Sequence, residues 1–342
     1  MSWFEFLLPK DVRVARHWNR GHAALEAGDH AAVLREARAL EALHGSGWFQ
    51  LEACVRMAEG RDEEAVELLE RGVAAAPDAI LLWQYLGHAC KRAHRWQRAD
   101  EAYAKVTEMA PTEDRHAAAY DHALMWAESG DCARALAVLD ADPAPRIGRG
   151  AVHHAEIRAG CALRLGDLAG AIAIADMALA DRTPGIEDVR AVLHVIRARA
   201  LHALGGHEPE VQSAIDAALE LDKSCVSAAS LIREIEEAHS PNAHRWRLTV
   251  RGSCWRSRDG AVTLRRPESP SLGGEAGFFA TFFAVADTPE TALVFCRRFE
   301  PPDVRASLRV EESEDMGHAP NEFLGVERAR GGYSFFALTP ES

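Results

Sequence analysis

A short pattern of turn and small residues recurs along the first two thirds of this 342-residue chain. Each copy begins at a turn position, followed five residues later by Ala or Val and then four residues later by an apolar or small residue. The turn positions are Gly28, Gly60, His94, Gly130, Gly166 and Gly206, at steps of 32 to 40 residues. This period is typical of helix–turn–helix repeats that stack into a solenoid. Because such arrays present an extended surface, the pattern favours binding over catalysis.

The clearest copy of the pattern spans residues 80–111. It contains, in order, Trp83, Leu86, Gly87, Cys90, Ala99, Tyr103 and Pro111. This order resembles the tetratricopeptide repeat (TPR), which reads W-x2-L-G-x2-Y, then A-x3-F, then P. Cys90 stands in place of the usual Tyr, and Tyr103 in place of Phe. Gly87 and Ala99 are small enough to let two helices approach closely, and Pro111 would end the second helix.

The resemblance covers about residues 12–222 and implies an all-α solenoid of six helical hairpins. The hairpins are predicted at about 12–43, 46–76, 80–110, 114–141, 151–182 and 187–222. An amphipathic helix over 224–238 is expected to cover the last exposed face of the array. The apolar residues from Trp3 to Leu8 are expected to fold over the first hairpin as a cap or, alternatively, to dock onto a partner.

The pattern changes after Pro241, and the remaining residues predict a small α+β domain with a mainly antiparallel sheet. Strands are expected over 245–256, 261–265, 278–286 and 304–311, a loop over 268–277, a helix from Thr288 to about Phe299, and a hairpin of 322–329 with 332–338 across Gly331 and Gly332. The β-α-β portion, 278–311, looks somewhat ferredoxin-like. The predicted domains are therefore a TPR-like helical repeat domain, 1–240, and an α+β domain of unknown type, 243–342.

The charge balance bears on partners. The net charge is −13, and the last 100 residues contain 13 Arg, no Lys and 14 acidic residues, which leaves −12 for residues 1–242. Nucleic-acid binding through phosphate attraction needs a basic surface, so no nucleic-acid partner is expected. An acidic array would instead attract a protein or peptide partner that has a basic patch.

Cysteine usage and the N-terminal residues indicate location. Seven Cys occur with no C-x-x-C pair, and this odd, scattered set favours a reducing compartment. The apolar run before Pro9 is interrupted by Glu5 and is too short for a signal peptide or a membrane span. A cytoplasmic protein without membrane contact is therefore expected.

No sequence motif points to catalysis. The 16 His include no H-E-x-x-H pair, and the glycines form neither a phosphate-binding loop nor a G-x-S-x-G elbow. No catalytic residue, metal or cofactor is therefore expected. The alternative is an enzyme or ligand sensor in the C-terminal domain, with the array recruiting its substrate or partner. A Cys–His pair made from Cys254 or Cys296 with His318 would be the nucleophilic centre in that case.

The TPR resemblance implies a location for the binding site, because the first helix of each hairpin lines the concave face of such arrays. The matching positions are Trp18, His22, Gln50, Gln84, Tyr85, His88, Lys91, Tyr120, Asp121, His153 and Glu156. This polar and aromatic strip suits an extended or helical peptide. The clustered Lys, Asn and Arg that grip a peptide C-terminus in some TPR proteins are not reproduced. The sequence thus predicts a non-enzymatic protein-protein interaction adaptor, whose α+β domain adds a second contact or oligomerises.

Overall fold

The computed structural model describes residues 9–43, 45–111, 115–141, 148–257, 262–264 and 273–337. The chain divides into two compact units, residues 1–146 and 147–342. The proposed N-terminal cap or docking segment, residues 3–8, lies outside the described residues.

The first unit is entirely helical. Its helices are α1 (Lys10–Glu26), α2 (His30–Ala42), α3 (Gly47–Ala58), α4 (Asp62–Ala75), α5 (Ile80–Arg92), α6 (Trp96–Met109), α7 (Arg115–Ser129) and α8 (Cys132–Ala141). Each helix packs against the next one along the chain. In addition, α1 contacts α3 and α3 contacts α5, so the first helices of successive pairs lie side by side. This is the packing expected of stacked helical hairpins.

The turn residues of the repeat pattern have left-handed backbone conformations. The φ angles are +70° at Gly28, +74° at Gly60, +55° at His94 and +92° at Gly130. Glycine adopts such angles without steric cost, which explains its recurrence at this position. At the non-glycine exception, the His94 and Arg95 backbone N–H groups donate to the Lys91 and Cys90 carbonyls, at 3.1 and 2.8 Å. These bonds close the end of α5.

The small residues of the third pair bring α5 and α6 close together, as predicted. A Cβ atom placed on Gly87 would lie 2.9 Å from the ring of Tyr103. The Tyr103 ring is fully buried against this glycine, and Ala99 has no exposed surface. The contact leaves no space for a larger residue at position 87.

The second unit begins with helices and ends with a sheet. Its elements are α9 (Arg149–Arg164), α10 (Leu168–Leu179), α11 (Glu187–Leu204), α12 (Glu208–Leu221), α13 (Val226–Glu236), β1 (His244–Ser257), β2 (Val262–Thr263), β3 (Gly273–Ala286), α14 (Pro289–Arg297), α15 (Pro302–Arg305), β4 (Arg309–His318), β5 (Gly325–Ala329) and β6 (Ser334–Ala337). A helical array followed by a small α+β sheet region is the fold class predicted from the sequence. The count of six repeats stays a prediction.

The sheet is antiparallel and has β1 and β3 at its centre. β3 pairs with β1 along the whole length of both strands, and β4 and β2 pair with the other edge of β1. β5 and β6 pair with the outer edge of β3, at its two ends. β3 and β4 are therefore parallel to each other, with β1 between them and α14 in the connection. This arrangement corresponds to the predicted β-α-β portion.

Three sequence expectations about this region are wrong in detail. Residues 273–277, expected to be loop, form the start of β3 because they pair with the end of β1. The strand expected over 304–311 starts only at Arg309, since Pro302 begins the short helix α15 instead. Residues 325–329 and 334–337 do not form a hairpin with each other, because both pair with β3.

One face of the sheet packs on helices. Leu248 and Val250 of β1 and Phe278 and Phe282 of β3 share a buried cluster with apolar residues of α11–α14. A Cβ atom placed on Gly252 would lie 2.4 Å from the ring of Phe278. Helix α13 contacts α11, α12 and β5. The last helices and the sheet thus share one core. That two separate domains meet near residue 240 stays a prediction.

A buried ion pair joins the loop after α12 to the sheet region. The Nζ atom of Lys223 lies 3.1 Å from Oε1 of Glu300, whose side chain is completely buried. The hydroxyl of Tyr333 donates to Oε2 of the same carboxylate at 2.6 Å. Nζ also lies 3.5 Å from the centre of the Tyr333 ring. Burial lowers the pKa of Lys223 and raises that of Glu300, while the mutual attraction of the pair opposes both shifts.

We expect Gly87→Val to destabilise the first unit by about 1–3 kcal/mol, because the added methyl groups would overlap the Tyr103 ring. Ala104→Val on α6 is the control, since residue 104 is exposed. Val is a poorer helix former than Ala but a better one than Gly, so helix propensity alone would make the control the less stable variant. Urea unfolding followed by circular dichroism measures both variants. Equal stability of the two variants would contradict the close packing at Gly87.

We expect Lys223→Met to destabilise the second unit by about 3–5 kcal/mol, because it leaves the Glu300 carboxylate buried without its cation. The double variant Lys223→Met, Glu300→Leu should regain much of that loss, since no buried charge remains. Thermal unfolding of the single and double variants gives the coupling between the two positions. A double variant whose loss equals the sum of the two single losses would show that they do not interact.

Candidate functional site

A cleft of about 690 Å³ lies along the first helices of the first three pairs, α1, α3 and α5. The cleft is lined by Trp18, His22, Gln50, Met57, Ala58, Leu81, Gln84, Tyr85, His88, Lys91 and Arg92. Seven of these residues belong to the strip predicted from the sequence. The spacing of α5 explains the arrangement: Leu82, Leu86 and Ala89 are buried between helices, and Gln84, Tyr85 and His88 lie on a different face of the helix, which lines the cleft. Their role in binding stays a prediction.

Trp18 and His22 form the α1 side of the cleft. The Trp18 ring lies 2.7 Å from where a Cβ on Gly47 would be, so it packs directly on the start of α3. The His22 ring lies 4.5 Å from the Trp18 ring, measured between centroids. Nε2 of His22 is buried and has no hydrogen-bond partner among the described residues. A bound group could complete this hydrogen bond, because buried polar atoms are normally paired.

Gln50 and Tyr85 form the floor of the cleft between α3 and α5. Gln50 is only 2% exposed, although it is polar. Tyr85 interacts through its side chain with Gln50 and Cys54, and burial raises the pKa of its hydroxyl. Burial also raises the pKa of the Cys54 thiol to about 11. Cys54 is thus a largely neutral thiol beside Tyr85, behind the residues that line the cleft, and it is a weak nucleophile near neutral pH.

His88 is held by the buried core of its own helix pair. Its Nδ1 atom lies 3.0 Å from the hydroxyl of Tyr103, and the two rings meet edge to face at 5.6 Å. Burial lowers the pKa of His88, although the nearby carboxylates of Asp121 and Glu128 oppose that shift. His88 is therefore neutral near pH 7 and has a fixed orientation.

Polar contacts link α5 to α7 at the far end of the cleft. Nε2 of Gln84 donates to Oδ2 of Asp121 at 3.1 Å, and Nζ of Lys91 lies 3.0 Å from Oε2 of Glu128. Asp121 therefore touches the cleft through Gln84. Tyr120 is half-buried on α7 and is not among the residues that line the cleft. The carboxylates thus lie behind the lining, which itself holds two cations and no acidic side chain.

The other two predicted residues, His153 and Glu156, belong to the second unit. Both are half-buried on α9. The structure thus groups seven of the predicted residues at one cleft in the first unit, with Asp121 at its edge.

Sequence reasoning missed the apolar part of the lining and one of its two cations, Arg92. Leu81, which is 45% exposed, precedes Gln84, Tyr85 and His88 at spacings of three, four and seven residues, and could have been found from helical periodicity. Met57 follows Gln50 by seven residues on α3. A second cavity of about 1000 Å³ adjoins the cleft and shares Trp18, Gln50 and Leu81 with it. The continuous surface is therefore larger than a site for one small molecule.

The cleft presents groups that form hydrogen bonds and apolar contacts. The side chains offer amide, imidazole and ammonium groups next to apolar surface, with no strongly acidic or nucleophilic group. Among the described residues, no group of three or more His, Cys, Asp and Glu could hold a metal ion. No helix in the described ranges is both long enough and apolar enough to cross a membrane.

Comparison with known proteins gives a consistent likeness. No family model and no curated protein matches the sequence. Matching solved structures include the Cut9–Hcn1 hetero-tetramer of the APC/C, with 14% identity, a TM-score of 0.49, and coverage of 64% of this chain and 41% of that one. The chain resembles TPR proteins over about two thirds of its length. This likeness concerns the fold alone.

Two smaller TPR proteins also match. A tetratricopeptide repeat protein from Parabacteroides merdae shares 11% identity over 66% of this chain and 92% of its own length, with a TM-score of 0.42. YrrB, described as a TPR protein with an unusual peptide-binding site, shares 12% identity over 57% of this chain and 96% of its own length, with a TM-score of 0.37.

We expect Cys54 to be alkylated slowly by iodoacetamide at pH 8, because its pKa of about 11 leaves little thiolate. The rate should rise about tenfold per pH unit up to about pH 11. Peptide mapping by mass spectrometry follows Cys54 separately from the other six cysteines, and the urea-unfolded chain serves as the reference. A rate that levels off near pH 9 in the folded protein would show that folding does not bury this thiol.

Proposed function

We propose that this protein is a non-enzymatic interaction scaffold that binds a protein or peptide partner in the cleft on α1, α3 and α5. One observation carries the proposal: polar and aromatic side chains from three separate helices line one continuous cleft. A scaffold for protein partners is also the general role that the TPR resemblance implies.

The composition of the cleft supports a peptide ligand. Leu81 and Met57 offer apolar surface, while Gln84 can pair with a backbone amide of an extended segment. The buried Nε2 atom of His22 adds one more group that has no partner among the described residues. The adjoining cavity extends this surface toward the start of α1. An extended segment uses such a long, mixed surface better than a compact small molecule does.

The charge of the chain supports a partner with a basic patch. Residues 1–242 carry −12, so acidic side chains outnumber basic ones over the whole array. The array would therefore attract a cationic partner over a distance, whereas the cleft would select the sequence. We place this interaction in the cytoplasm because of the cysteine usage, and we propose no nucleic-acid or membrane partner.

An enzyme in the C-terminal region is not favoured. Cys254 and Cys296 are buried in the core, and burial raises the pKa of the Cys296 thiol well above its usual range. His318 is exposed at the end of β4, where its Nε2 atom lies 2.9 Å from the Pro241 carbonyl. The proposed Cys–His nucleophilic pair thus has no support. We propose that residues 243–342 supply a second contact.

The test uses peptides selected on the full-length protein from a random-sequence library displayed on phage. We expect the variant Gln84→Ala, Lys91→Ala to bind the selected peptides at least tenfold more weakly, because two polar groups of the cleft are removed. The matched control is Gln97→Ala, Lys105→Ala on α6, the other helix of the same pair. Gln97 and Lys105 are exposed, and Lys105 forms an ion pair with Glu108, as Lys91 does with Glu128.

Fluorescence anisotropy with labelled peptides measures the affinities, and circular dichroism verifies that both variants fold. Unchanged affinity of the α5 variant, or an equal loss in the α6 control, would rule out the cleft as the binding site.

A further inference from the structure

Another cavity, of about 640 Å³ and here called the sheet cavity, lies on the sheet of the second unit. Its floor includes Thr249, Thr281 and Phe279 of β1 and β3. These residues alternate with Leu248, Val250, Phe278 and Phe282, which pack on the helices. The cavity therefore lies on the sheet face that does not pack on α13 and α14. This region is separate from the cleft of the first unit.

Four residues form a row across this face. Glu312 of β4 is opposite Thr249 of β1, and Thr249 is opposite Thr281 of β3. The backbone N–H of Arg330, just after β5, donates to the carbonyl of Thr281 at 2.9 Å. An acidic side chain therefore lies at one wall of the cavity and a basic side chain at the opposite wall, with two hydroxyl groups between them.

The width of the row limits what fits between the two charges. Neighbouring strands lie about 4.8 Å apart, so three spacings separate the backbones of Glu312 and Arg330 by about 14 Å. Both side chains occupy part of that width when they extend over the floor. The carboxylate and the guanidinium can therefore both reach one small molecule that lies over the two Thr residues.

Some charged residues of this sheet form salt bridges, whereas those that line the cavity form none among the described residues. On the same sheet, Arg247 pairs with Glu314 at 3.1 Å and Arg245 pairs with Glu327 at 2.9 Å. Among the described residues, Glu311, Glu312 and Arg330 form no such pair. A register shift between Thr249 and Val250 places Glu311 as an extra residue in β4, opposite no residue of β1. Bulges of this kind commonly redirect side chains near binding sites.

The floor also provides an apolar surface. The half-buried Phe279 ring stacks on Phe336 at 4.6 Å between centroids. Phe336 is held in turn against the backbone of Gly277, where a Cβ would lie 2.1 Å from the ring. This fixed aromatic surface adjoins the two Thr hydroxyls. The cavity thus combines an anionic wall, a cationic wall and an aromatic floor.

We propose that this cavity binds a small zwitterion, namely a free α-amino acid with an apolar side chain. Its ammonium group would lie against Glu311 and Glu312, and its carboxylate would accept hydrogen bonds from the Arg330 guanidinium. The apolar side chain would contact Phe279. Two walls of opposite charge select a ligand that carries both charges, because either charge alone leaves one wall unpaired. This function is additional to partner binding in the first unit.

Isothermal titration calorimetry on the full-length protein tests the proposal with leucine and two analogues. Isoamylamine lacks the carboxylate of leucine, and 4-methylpentanoate lacks its ammonium group. We expect leucine to bind and each analogue to bind at least tenfold more weakly, since each loses one charge-assisted contact. Thermal shifts with the other amino acids then rank the side chains, with apolar ones expected to stabilise the protein most.

Two variants locate the site. Arg330→Gln and Glu312→Gln should each weaken leucine binding at least tenfold while leaving the melting temperature of the free protein unchanged, because both residues lie at the surface. Arg328→Gln is the matched control, since Arg328 is also exposed on this sheet but lies over Phe283, at 4.2 Å from its ring centre. We expect that control to bind leucine normally.

The proposal is overturned if no amino acid gives a heat or a thermal shift. It is also overturned if isoamylamine or 4-methylpentanoate binds as tightly as leucine, or if Arg328→Gln weakens binding as much as Arg330→Gln. Each of these outcomes is independent of the peptide experiment on the cleft, whose variants lie in the other unit.

Discussion

Large side chains packed directly on glycine backbone set the spacing of elements in both units of this protein. In the first unit, Tyr103 lies on Gly87, and Trp18 lies on Gly47. In the second unit, Phe278 lies on Gly252, and Phe336 lies on Gly277. Because any residue larger than glycine would clash at each of these contacts, the neighbouring helices or strands are held at one separation.

The same contacts position both candidate sites. Trp18 reaches the cleft because it rests on the start of α3, and His88 is oriented by the hydroxyl of the buried Tyr103. On the sheet, Phe336 fixes the ring of Phe279 at the floor of the sheet cavity. The packing contacts and the candidate sites therefore share residues. A residue that looks like part of a binding surface also defines the distance between two helices or strands.

The charges of the molecule fall into two classes. Many form ion pairs, from the buried Lys223–Glu300 pair to exposed pairs such as Arg247–Glu314. Exposed ion pairs contribute little to stability, whereas a buried ion pair is costly to break. Charges without such a partner among the described residues, such as Arg330 and Glu312, are the ones available to a ligand. Net charge alone does not distinguish these classes.

The sequence by itself determined the helical hairpins and their turns, because both are local. The spacing along the chain reveals both the glycine at each left-handed turn and the small residue that faces Tyr103. Most of the cleft residues follow from helical periodicity. The exposed Leu81 followed the same rule and was missed.

Only the tertiary structure decided which strands pair and which faces stay open. Residues 325–329 and 334–337 looked like a hairpin across Gly331 and Gly332, but both pair with β3 instead. The row of Glu312, Thr249, Thr281 and Arg330 joins residues that are far apart along the chain. Strand pairing depends on packing between distant segments, so its partners cannot be read from a local pattern.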